Sequence, residues 1–70
     1  MKYAVVIEKG PESFSAYAPD LPGCVAAGNS REEVVQIMRE AIELHIQGLK
    51  EDGDEVPTPV SSFIYVDVAA

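Results

Sequence analysis

The sequence is short of the features that would staple a small chain together or draw it to an anionic partner. A single cysteine, Cys24, among 70 residues excludes an intramolecular disulfide and any zinc site built from several cysteines of one chain. That usage fits the reducing cytoplasm. No long apolar run is present, and no apolar segment near Met1 leads into a small-residue cleavage site, so neither a membrane-spanning helix nor a secretory signal is expected. Basic residues are scarce: five Lys and Arg stand against twelve Asp and Glu, a formal net charge of −7. A field of that sign opposes phosphate backbones and anionic headgroups, which argues against DNA, RNA or membrane as direct ligands. It attracts a basic protein instead, including one whose own surface is built to hold nucleic acid.

The length suits one domain, residues 1–70, whose core hides only about 60% of the unfolded chain's surface. With no covalent or metal staple, self-association as a homodimer or homotetramer is the expected further source of stability.

Tyr3 to Glu8 is dense in β-branched and aromatic residues and reads as a strand, ended by the turn Lys9, Gly10, Pro11, Glu12. Ser13 to Ala18 alternates in period two and pairs back on the first strand, and Pro19 closes it. Asp20, Leu21, Pro22 and Gly23 make a compact turn that leaves Leu21 free to point inward; a short third strand, Cys24 to Gly28, follows. Ser30 to Glu33 has the pattern of a capping box, with the Ser30 hydroxyl accepting from the Glu33 amide and the Glu33 carboxylate returning to the Ser30 amide. The helix that starts there carries Val34, Met38, Ala41, Ile42, His45 and Leu49 on one apolar stripe. Arg31, Glu32, Arg39, Glu43 and Lys50 mark the polar side, and the helix ends near Gly53. Gly48 weakens its interior and suggests a close approach of another backbone.

After an acidic, proline-containing connector, Ser62 to Val68 reads as a last strand, with Ile64, Val66 and Val68 on one face and Phe63, Tyr65 and Asp67 on the other. The element order β-β-β-α-β predicts an α+β two-layer domain, a mostly antiparallel sheet of order 3-2-1-4 with one helix on one face. One helix covers one face only, yet Tyr3, Val5 and Ile7 on one side and Ala4 and Val6 on the other leave both faces of the first strand apolar. The second face and the final strand are therefore expected to meet another chain.

Three stretches together, MKYAVVIEK, YAPDLPGCVAAG and NSREEV with REAIEL, resemble the amino-terminal domain of HicB-like antitoxins over nearly the whole sequence. The most specific piece is Pro19, Asp20, Leu21, Pro22, Gly23, Cys24 followed by Gly28 and the capped helix. The resemblance implies a partial RNase H-like fold and a protein that binds and blocks HicA, a small basic toxin that cleaves messenger RNA. Many members continue into a DNA-binding helix-turn-helix or ribbon-helix-helix module. This sequence has no counterpart to it, and direct operator binding is not expected.

Chemistry of the chain's own has weaker support. Cys24, His45 and Asp20 supply the residue types of a nucleophilic site, but Cys24 falls in a strand and His45 on the apolar stripe. In the expected topology Glu8, Asp67 and Glu32 or Glu33 converge at one sheet edge, as the metal-binding carboxylates of an RNase H-type nuclease would, yet no basic groove accompanies them. Asp52 to Glu55 lacks the ligand spacing of a calcium loop. The aromatic residues Tyr3, Tyr17, Tyr65, Phe14 and Phe63 lack the surrounding cations of a base-stacking platform and suit core and subunit interface. The expectation is a binding protein, not an enzyme, with no cofactor and no metal. It masks the RNA site of a HicA-type toxin through Asp20, Leu21, Glu40 and Glu43. The competing expectations are a solitary oligomeric scaffold domain and the carboxylate-dependent nuclease.

Overall fold

Gly10, Pro11, Glu12 and Ser13 interrupt two alternating runs, and the chain reverses there, with the Gly10 N–H donating to the Ser13 carbonyl at 2.8 Å. In the computed structural model, which describes residues 1–70, β1 (Val6–Lys9) pairs antiparallel with β2 (Phe14–Tyr17). β3 (Val25–Gly28) pairs antiparallel on the other side of β2, so the sheet order is β1-β2-β3. The register sets Ile7, Ala16 and Ala26 side by side on the inner face, and Val6, Tyr17 and Val25 side by side on the outer one.

Two consecutive turns connect β2 to β3. The Leu21 N–H donates to the Ala18 carbonyl at 3.1 Å and the Cys24 N–H to the Leu21 carbonyl at 3.0 Å. Pro19 and Pro22 each occupy the second position of a turn, where their fixed φ is an advantage. Gly23 has φ +83°, the left-handed conformation the second turn needs after its proline. The double turn folds Leu21 back beneath the sheet, where it is 0% exposed.

Helix α1 (Arg31–Glu51) starts at Ser30, whose hydroxyl accepts from the Glu33 N–H at 3.0 Å. The return half of the capping box differs from expectation: the Glu33 carboxylate accepts from the Asn29 N–H at 2.9 Å, one residue before the cap. At the far end the Asp54 N–H reaches the Leu49 carbonyl at 2.8 Å and the Gly53 N–H the Lys50 carbonyl at 3.2 Å, a Schellman closure that uses the positive φ of Gly53. The acidic turn at 52–55 is therefore a helix terminator. Gly48 has open space where a Cβ would stand, so no backbone approaches it and the expected close contact is absent.

The helix lies over β3 and β2. Val34 and Met38 are buried from its side and Ala16, Ala18, Leu21 and Cys24 from the sheet's side, with Tyr3, Val5, Ile7, Phe14, Ala26, Ala41 and Ile42 packed around them. His45 and Leu49 continue the stripe half-buried.

The expected fourth strand does not form within the chain, and the position beside β1 in the order 3-2-1-4 is empty. Beyond the helix the connector is pinned twice, by the Tyr3 hydroxyl donating to the Pro57 carbonyl at 2.6 Å and by Asp20 gripping Val60 and Ser61. Residues 62–68 then run without regular structure, almost entirely exposed. The helix packs mainly on β3 and β2, so a strand added beyond β1 would gain little cover from it. Ladder hydrogen bonds alone, at about 0.5–1.5 kcal/mol net each, do not outweigh about 1–2 kcal/mol per residue of backbone entropy.

Candidate functional site

The outward face of α1 carries an acidic, solvent-exposed surface. Glu40 and Glu43 are exposed there, and Glu40 accepts from the Gln36 amide at 3.4 Å one turn earlier. Gln47 and Glu51 repeat the pairing at 3.2 Å. Between them stands Leu44, 68% exposed. An apolar side chain ringed by Glu40, Glu43 and Gln47 offers a partner a desolvated contact inside an acidic rim. Leu44 was not singled out by its sequence; the available signal was that it falls outside the spacing of the buried stripe.

Glu43 also stands at the rim of a cleft of ≈ 450 Å³ where the lead-in to β1 parts from the helix. Met1, Tyr3, Ile42 and Ile46 form its apolar lining, and Arg39 and Lys50 share the rim.

Asp20 and Leu21 sit apart from this surface in role. Leu21 has no exposed area to offer a partner in this conformation. The Asp20 carboxylate accepts three hydrogen bonds: from the Ser61 N–H at 2.9 Å, the Ser61 hydroxyl at 2.7 Å and the Val60 N–H at 3.1 Å. The Ser61 backbone bond, then its hydroxyl, hold the Asp20 carboxyl below the ordinary aspartate range, with a smaller contribution from Val60 and partial opposition from desolvation. The specific turn motif thus anchors the tail some forty residues downstream.

The nucleophilic set does not come together as a site. Cys24 lies in the core, where burial pushes its thiol up and keeps it in the poorly nucleophilic protonated form. Glu8, Asp67, Glu32 and Glu33 do not converge either, and no three His, Cys, Asp or Glu side chains stand where they could share a metal ion. Their expected meeting depended on a fourth strand that would have carried Asp67 to the edge of β1. No helix is long and apolar enough to cross a membrane.

Residues 3–67 match the family described as HicB_like antitoxin of bacterial toxin-antitoxin system. An uncharacterized 14.9 kDa protein of the rep-hol intergenic region of Haemophilus phage HP1 is 38% identical over 66 residues, covering 91% of this chain. Antitoxin HicB 2 of Photorhabdus laumondii is 30% identical over 59 residues, covering 84% of this chain. The chain spans 50% of the length of the phage protein and 42% of the Photorhabdus one. Among solved structures, a chain of the HicA3 and HicB3 toxin-antitoxin complex superposes with a TM-score of 0.73 at 35% identity, covering 86% of this chain and 70% of that one.

Proposed function

The chain belongs to the HicB-like antitoxin family of bacterial toxin-antitoxin systems, and from that premise we propose that it binds a small basic mRNA-cleaving toxin of the HicA type and covers its RNA site. The single observation that carries this reading is the structural likeness to a chain of a toxin-antitoxin complex. The formal charge of −7 supports it physically. A surface made to hold RNA is cationic, and an acidic helix face can occupy it and speed encounter with it. Glu40 and Glu43 supply charge and Leu44 supplies the apolar contact, while Asp20 and Leu21 act indirectly by holding the turn and tail in place. Occlusion of this kind needs no bond to be made or broken by the antitoxin, no cofactor and no metal.

A reconstituted cleavage assay tests the reading, using a purified HicA-type toxin and a labelled messenger RNA. Equimolar addition of the chain is expected to stop cleavage, and the inhibition is expected to weaken as salt rises from about 50 to about 500 mM, as screening requires. Undiminished cleavage at roughly tenfold excess and low salt would overturn it.

A further inference from the structure

We infer that the cleft between the lead-in to β1 and the far half of α1 is a binding site for a small linear aliphatic monocarboxylate, whose carboxylate pairs with Arg39 and whose chain lies along Ile42 and Ile46. The cleft exists because the two layers differ in length. A 21-residue helix is about 31 Å long, whereas strands of four residues span about 13 Å. The buried helix residues, Val34 and Met38, both fall in its first half. Further along, Ile42 and Ile46 are only half-buried, and a cleft of ≈ 450 Å³ opens over them. That volume lies in the range of small-molecule sites, which combine an apolar lining with a few polar groups that fix orientation. One wall is set in advance: the Tyr3 hydroxyl donates to the Pro57 carbonyl at 2.6 Å, which holds the ring in place and leaves that hydroxyl committed. Met1, 83% exposed, adds an unbranched side chain that can fold over whatever lies beside it.

Charge chooses the ligand. Of the five Lys and Arg in a chain of net charge −7, Arg39 and Lys50 both stand at this rim, opposed there by Glu43 alone. The rim is therefore positive where the chain as a whole is negative, and carboxylates beyond about 8 Å are largely screened at physiological salt. Two cations against one carboxylate match a monoanion, and Glu43 repels a second charge on the ligand. Arg39 is the seat for the head because its planar fork can donate two hydrogen bonds to one carboxylate. Lys50 lies in the last turn, where the negative end of the helix and the acidic run from Glu51 to Glu55 already balance it. From Arg39 to Ile46 the helix rises about 10 Å, a distance that a chain of roughly eight to ten carbons covers. The methylene stem of Lys50 can close over the end of that chain with its ammonium in water. A basic toxin is not the occupant, since the same two cations repel it.

NMR titration of the isotope-labelled full chain tests this, with decanoate, octanoate and decanol as probes below their micelle-forming concentrations. Decanoate is expected to shift the amides of Tyr3, Ile42 and Ile46 to saturation below about 1 mM, with NOEs from its methylenes to the methyl groups of Ile42 and Ile46. Octanoate, two methylenes shorter, should bind about tenfold more weakly. Arg39→Gln should weaken decanoate about tenfold and leave decanol unaffected, whereas Lys9→Gln, which removes a cation outside the cleft, should change neither. No saturable shift by about 1 mM, decanol bound as tightly as decanoate, or undiminished binding of decanoate to Arg39→Gln would each overturn it. So would cross-peaks of Ile42 and Ile46 that move with protein concentration alone, the mark of a second copy in the cleft.

Discussion

The inner and outer faces of the sheet are built from similar side chains but end in opposite environments. On the inner face Ile7, Ala16 and Ala26 meet a capped helix and bury Leu21, Val34 and Met38 completely or nearly so. On the outer face Val6, Tyr17 and Val25 stand in the same cross-strand register, but Val6 is only half-buried and Tyr17 and Val25 are 41% and 65% exposed. The difference teaches that alternation alone marks a residue as able to be buried. What covers it is decided by the helix, and here the helix packs mainly on β3 and β2. A chain with six buried residues keeps a small core of its own and leaves much apolar surface exposed.

Removing a side chain from the closed face gives the largest expected effect. Leu21→Ala should cost about 2–5 kcal/mol, enough to unfold much of the population of a marginal domain, read as the shift in the urea midpoint. A loss near zero would mean that the double turn is not part of the core. The helix that closes this face should respond next: Ser30→Ala removes the acceptor of the Glu33 amide and is expected to lower stability by about 1 kcal/mol. Gly48→Ala tests the same helix in the opposite direction, because open space awaits the added methyl. It should raise the melting temperature with a gain of up to about 1 kcal/mol. On the open face Val25→Thr should change monomer stability by no more than about 0.5 kcal/mol; a cost matching that of Leu21→Ala would erase the contrast between the faces.

The smallest effect is local and depends on pH. Asp20 has a folded pKa held below its ordinary value by the bonds from Ser61 and Val60, so its contribution is complete above the unfolded aspartate value of about 3.9 and is lost as pH falls through the lower folded value. Amide exchange at Val60 and Ser61 should accelerate across that acidic window while the helix amides stay protected. Exchange at those two amides that is already fast at neutral pH would show the tail to be unanchored.

Much of this was readable from local pattern. β-branched and aromatic density located β1, period-two alternation located β2, the Pro-Gly turn led into β3, and three-to-four spacing located the helix and its buried stripe. Pro19, Pro22 and Gly23 carry the double turn and the inward position of Leu21 in their own dihedral preferences. What was not readable depends on distant partners. The sequence from Ser62 to Val68 has every local mark of a strand, yet a strand exists only with a ladder neighbour, and within one chain β1 pairs with β2 alone. Asp20 suggested a partner contact because it is a charge on a turn; its use by Ser61 follows from where the helix returns the connector, which no local spacing encodes. The reach of Glu33 to Asn29 in place of Ser30 is a shift of one residue that the capping pattern does not resolve. At the candidate site Glu40 and Glu43 were legible as outward charge, whereas Leu44 was hidden because a leucine in a helix is ordinarily counted toward the core.

The most direct measurement is a backbone amide NMR titration of the chain with a purified HicA-type toxin. Cross-peaks from the outward face of the helix, around Glu40, Glu43 and Leu44, are expected to shift to saturation at a fixed stoichiometry. An unchanged spectrum, or shifts confined to Tyr17, Val25 and residues 62–68, would contradict an antitoxin that meets its target through its acidic helix.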